Sequence, residues 1–98
     1  MTYKSKFANA DIDLLFDAIL LLKEKDECYR FFEDLCTINE LQEMGQRIKV
    51  AKMLHAKIPY QMIESETHAS SATISRVNKS LLYGADGYHY ILKKLETK

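Results

Sequence analysis

The sequence predicts an all-α fold in which a helix-turn-helix sits inside an intertwined helical dimer, and three observations predict it. Apolar residues recur at helical spacing along most of the chain, while strand-like alternation is absent and β-branched residues are sparse. One Pro and three Gly among 98 residues leave few turn positions. Residues 58–84 carry the punctuation of two short helices joined by a tight corner, and residues 12–22 are more apolar than so small a chain can bury by itself.

Met1–Ala8, with Lys4 and Lys6, reads as a mobile basic arm ahead of a single domain spanning residues 9–98. Asn9 or Asp11 caps the first helix, in which Ile12, Leu15, Phe16, Ile19 and Leu22 keep the helical period. Leu14, Leu20 and Leu21 extend its apolar surface past half the circumference, as expected of a helix buried between chains. That implies an obligate, partly interlocked homodimer, or else a helix that docks on a different partner protein. Asp26 starts a second helix with Tyr29, Phe32 and Cys36 on one face. Thr37-Ile38-Asn39-Glu40 is a capping-box sequence, in which hydroxyl and carboxylate each satisfy a backbone donor of the other residue. It opens the longest helix, whose stripe is Leu41, Met44, Ile48, Ala51 and Leu54 or His55.

Pro59 is expected at the first position of the fourth helix, where its fixed φ suits a helix and its missing N–H has no partner to lose. That helix is about two turns long, with Ile63 facing inward. Thr67-His68-Ala69 breaks the period where a corner belongs, and Ser70 is placed to cap the fifth helix. Ile74, Val77 and Leu81 form its buried stripe, which leaves Ala72, Ser75, Arg76 and Lys79 facing outward. Gly84 is the C-cap glycine. Asp86 or Gly87 begins a last helix that ends in the C-terminal lysines, with Tyr83, Tyr88 and Tyr90 packing it.

A formal net charge of zero conceals a lopsided distribution. Residues 9–43 hold ten acids against three bases, a balance of −7, whereas residues 44–98 hold nine bases against four acids, a balance of +5. Within residues 47–57, Arg47, Lys49, Lys52 and Lys57 meet no acid. Such a molecule presents one end to phosphates. At the start of the fifth helix, Ser71, Ala72 and Ser75 are small enough to let a helix enter a major groove about 12 Å wide, whereas a merely solvated face more often carries Glu and Lys. No run of eighteen apolar residues and no basic-then-apolar leader is present, so the expectation is a cytoplasmic protein without a membrane span. Cys28 and Cys36 lack a second pair or histidines at zinc-ligand spacing and read as buried thiols of a cytosolic protein.

Two segments together resemble the tryptophan repressor family. Thr37-Ile38-Asn39-Glu40-Leu41-Gln42-Glu43-Met44-Gly45-Gln46-Arg47, followed by Ile48 and Val50, is similar to the family's L-T-P-D-E-R-x-x-L-G-x-R-V segment. Ala72-Thr73-Ile74-Ser75-Arg76-Val77-Asn78-Lys79-Ser80-Leu81 is similar to its A-T-I-T-R-G-S-N-S-L recognition helix. The resemblance implies an intertwined all-helical dimer that sets two reading heads roughly 34 Å apart on a palindromic operator. It places base reading on Ser71, Ala72 and Ser75, and phosphate contact on Gln61 and, less favourably, on Glu64, where a carboxylate repels DNA. Lys79 is a further phosphate contact from its outward position. The family's effector clamp maps onto Arg47 and Arg76, with Thr37 and Ser80 at its polar edge. Arginine suits that task because its planar fork stacks on rings and grips carboxylates with two hydrogen bonds. An intramolecular salt bridge or a phosphate contact is the alternative role for both arginines.

The chain departs from the family at Val77, where the tryptophan repressors carry glycine. A branched side chain there fills the slot in which the ligand would lie, so any small-molecule effector is expected not to be tryptophan. No enzyme and no cofactor are expected. His55, His68 and His89 fall on three segments without a ligand pair, glycine-rich phosphate loops are absent, and Glu64 and Glu66 point to different faces. The expected partners are double-stranded DNA and a second copy of the chain, for a repressor-type transcriptional regulator. The alternative is a helical interaction module whose helix-turn-helix face binds a protein.

Overall fold

The computed structural model describes residues 3–97, among which lie six helices and no strand: α1 (Ala10–Ile19), α2 (Lys25–Leu35), α3 (Ile38–His55), α4 (Tyr60–Thr67), α5 (Ser71–Tyr83) and α6 (Gly87–Glu96). The chain divides into two compact units, Met1–Thr37 and Ile38–Lys98. Met1 and Thr2 of the expected arm, and Lys98 of the C-terminal lysines, lie outside the described residues.

In the first unit the cap of α1 is Asn9, whose side-chain oxygen accepts the Ile12 N–H at 2.9 Å. Asp11 and Asp13 follow in the first turn, where the helix dipole favours acids. The helix stops at Ile19, short of the expected Leu22, and the hydrogen bonds show why. The N–H groups of Leu21 and Leu22 turn to the carbonyls of Ala18 and Ile19, three residues back. Those of Lys23 and Glu24 both donate to the Glu27 carboxylate, at 2.7 and 3.2 Å. Glu27 thereby ties down the entry to α2, which starts at Lys25 rather than Asp26. The same two bonds, to the Lys23 and then the Glu24 N–H, hold its carboxyl below the usual pKa.

No described residue of this unit is buried. Leu14 is 66% exposed, Leu20 81% and Leu21 76%. The expectation of buried thiols fails for the same reason: Cys28 is exposed and Cys36 half-buried, because a pair of short helices has no interior to hold them.

In the second unit α3 packs against α4, α5 and α6, and α5 packs against α4 and α6. The core is Val50, Ala51, Ile63, Ala69, Ile74, Val77, Leu81 and Leu92, with Met53, Leu54, Ile58 and Tyr88 packed against it. The expected α3 stripe needs one correction. Val50, outside that stripe, is fully buried, whereas Ile48 is 40% exposed. With three helices packed on α3, its inward arc takes in the adjacent residues Val50, Ala51, Met53 and Leu54, wider than a single period would show.

Pro59 stands one place earlier than expected, as the N-cap of α4. Its ψ of 151° is extended, so the helix begins at Tyr60 while the Pro59 carbonyl accepts the Met62 and Ile63 N–H groups. Gly84 is the C-cap of α5, but with a φ of −84°, outside the left-handed region. Glycine is required here by close approach: its N–H donates to the Ser80 carbonyl at 2.8 Å, and a Cβ would collide with that same oxygen. Of the three tyrosines expected to pack α6, only Tyr88 does. Tyr83 and Tyr90 are 80% and 65% exposed, each two residues, or about 200° of helix, from a buried leucine.

Candidate nucleic-acid interface

The corner between α4 and α5 is built by short polar side chains. His68 ends α4 in the left-handed region, at φ 62°, which turns the chain sharply after Thr67. The Thr67 hydroxyl donates to the Ile63 carbonyl at 2.7 Å and accepts the Ala69 N–H at 3.1 Å. Ser70 then caps α5, its oxygen accepting the Thr73 N–H at 3.1 Å. Ile63, Ala69 and Ile74 lie beneath the corner as buried residues, so its outer surface is held by apolar contacts on one side and local hydrogen bonds on the other.

On α5 the buried stripe of Ile74, Val77 and Leu81 leaves Ser71, Ala72, Ser75 and Lys79 exposed along the opposite side, over about 12 Å of helix. Gln61 is exposed on α4. Glu64, the unfavourable neighbour in the sequence, is half-buried, and Glu66 is exposed. Lys49, Lys52 and Lys57 are exposed on and just after α3.

The candidate effector residues are less closely gathered. Arg47 is half-buried on α3, Arg76 exposed on α5, and α3 packs against α5. Neither arginine side chain forms an ion pair or hydrogen bond among the described residues. Ser80 is exposed and lines a cavity of about 380 Å³ with Ile48, Gly84, Tyr88 and Ile91, and neither arginine lines it. Thr37, exposed, ends the first unit and is described apart from these three. Val77, which follows Arg76, is 1% exposed.

Two groupings were not visible in the sequence. Gln46, half-buried on α3, donates from Nε2 to the Thr67 carbonyl at 3.1 Å, which ties the long helix to the end of α4 across 21 residues. His55 and His89, on separate segments in the sequence, come together with ring centroids 6.0 Å apart. His55 Nε2 lies 3.5 Å from a Glu96 carboxylate oxygen, and His89 Nε2 lies 2.7 Å from the Leu81 carbonyl. No sequence period links an amide or imidazole to a carbonyl on another helix, so neither grouping left a signal in the sequence.

These helices and this outward face define an all-helical helix-turn-helix protein. Residues 10–96 match the family model of the Trp repressor protein, and the chain belongs to that family. It is 52% identical over 91 residues to the uncharacterized protein YerC of Bacillus subtilis (strain 168), an overlap covering 93% of this chain and 88% of that protein. A crystal structure from Staphylococcus aureus superposes with a TM-score of 0.89 at 50% identity, covering 95% of this chain and 93% of that one. A TrpR like protein from Eubacterium eligens ATCC 27750 gives the same TM-score at 52% identity, with 93% and 94% covered. No helix of the described residues is long and apolar enough to cross a membrane.

Proposed function

We propose that the protein is a sequence-specific, DNA-binding transcriptional regulator of repressor type, working as a homodimer in the cytoplasm. The observation that carries this is the exposed row of Ser71, Ala72, Ser75 and Lys79 on α5, directly after a corner that Ser70 and Thr67 hold rigid. Small side chains at the start of a recognition helix permit close approach to base edges, and the lysine one turn later reaches a phosphate. Gln61 on α4 adds a second, uncharged phosphate contact from the preceding helix. The continuous family match over residues 10–96 supports treating residues 9–98 as one working domain. Exposed leucines on α1, at 66% for Leu14, supply the apolar surface that a second copy covers.

Arg47, Arg76 and Ser80 are the positions of the second unit at which an effector would act, and the buried Val77 side chain argues that tryptophan is not that effector. Arg47 and Arg76 carry no side-chain partner among the described residues, so both are available to an anionic group, phosphate or carboxylate. The test is duplex binding as a function of salt. A DNA-binding face loses affinity with a log–log slope of about −0.9 per phosphate neutralised. Binding that is independent of salt, or confined to a protein partner, points instead to a helical interaction module.

A further inference from the structure

We propose that Gln46 is a positioning residue for the reading head: its hydrogen bond to the Thr67 carbonyl sets the pitch of the α4–α5 corner against α3, and with it operator discrimination. This rests on the DNA-binding role proposed above. The eight residues of α4 contain one buried side chain, Ile63, while Met62 is 53% exposed. Ala69, buried two residues past the end of α4, and Ile58, packed against the core just before it, hold its flanks. Apolar contact is non-directional; the Gln46 bond adds a directional tie at the last residue of α4, which fixes the setting of the helix end.

The chemistry of the bond is unambiguous. A backbone carbonyl only accepts, so the amide must present its NH₂ group, and the oxygen it satisfies belongs to a helix end whose carbonyls have no partners inside the helix. Ser71, the first residue of α5, lies only four residues beyond Thr67, with His68, Ala69 and Ser70 held in a fixed turn. Any tilt at Thr67 is therefore passed to Ser71, Ala72 and Ser75. Gln46 also adjoins Arg47, about 100° away on the same helix, so a ligand gripping Arg47 would act on the helix that holds the corner.

The experiment uses the full chain and a duplex selected by the wild-type protein from a randomised pool, with unselected duplex as reference. Gln46→Met keeps the length and removes the donor. It is expected to reduce the ratio of selected to unselected affinity about tenfold, the order set by one net hydrogen bond. The melting temperature should fall by no more than several degrees, the cost of about one net hydrogen bond, and amide exchange at Ala69 and Thr73 should quicken. Gln46→Glu is the second variant. Ionised, it repels the Thr67 carbonyl; protonated, it donates to it. Its discrimination should therefore recover relative to wild type as pH falls through the carboxyl's pKa, a profile that a merely structural role would not produce. Retained discrimination by Gln46→Met, or unchanged exchange at Ala69 and Thr73, overturns the proposal and leaves DNA binding intact. Failure of the wild-type chain to enrich any duplex overturns the DNA-binding role itself.

Discussion

Ile63→Ala tests whether α4 is packed as described. Ile63 is fully buried, and the substitution removes three carbon atoms from a core that includes Ala69 and Ile74. At about 0.8 kcal/mol per buried methylene the lost transfer term is about 2.4 kcal/mol. A residual cavity adds to this, while the better helix propensity of alanine returns about 0.4 kcal/mol. The net loss is about 3 kcal/mol. With a urea slope of about 1.5 kcal/mol per molar, the unfolding midpoint should fall by about 2 M, measured by circular dichroism at matched protein concentration. Met62→Ala is the internal control. Its side chain is 53% exposed, and the midpoint should move by less than about 0.3 M. Equal shifts for the two variants, or none for Ile63→Ala, would refute the placement of α4 on the core.

Four further outcomes are expected. Ser75→Glu should abolish discrimination between selected and random duplex, while Lys79→Ala should weaken both and flatten the salt slope by about one unit; full retention by both variants would show that α5 is not the reading helix. Melting temperature should rise with protein concentration over a hundredfold range, because covering the exposed leucines of α1 couples folding to association, and a concentration-independent melt of a sedimenting monomer would exclude this. Glu27 is stabilising when ionised, since its carboxyl pKa is lowered in the folded chain. That contribution is present above the unfolded-state pKa and is lost as pH falls through the folded-state value, so Glu27→Gln should narrow the stability gap to wild type on acidification, as read in melts from pH 7 to pH 3. Calorimetry should detect no tryptophan binding at millimolar ligand, because overfilling the slot with the Val77 methyl groups costs about 1–3 kcal/mol, or one to two decades of affinity; saturable binding with a matching gain in operator affinity would overturn the assignment.

What the sequence made legible is what depends on neighbours a few residues away. The Ser70 cap, the Ile63 anchor and the Ile74, Val77 and Leu81 stripe are all local decisions, and each sits where its spacing placed it. The same holds for the corner, whose hydrogen bonds span no more than four residues. Helix ends were shifted by one to three residues where a side chain outbid the period, as Glu27 does by taking two N–H groups between α1 and α2. Burial was misjudged where residue type stood in for environment, as with Cys28 and Tyr83, both exposed in a chain where the buried core is confined to residues 50–92.

The proposed DNA-binding face and the residue proposed to aim it differ in this respect. Ser71, Ala72 and Ser75 are readable because a recognition helix must alternate an inward apolar stripe with an outward polar one, and both stripes are written in one thirteen-residue segment. Gln46 is not readable, because a polar residue on an amphipathic helix is ordinarily a solvated one, and its acceptor is a backbone carbonyl that any residue at position 67 would offer. Specificity in such a head therefore rests on two kinds of residue. Those that meet the bases are open to change through their chemistry, and those that hold the pitch are constrained only through geometry. A substitution at Gln46 should weaken operator discrimination without altering any atom proposed to touch DNA, whereas a substitution at Ser75 alters the proposed contact and leaves the pitch as it was.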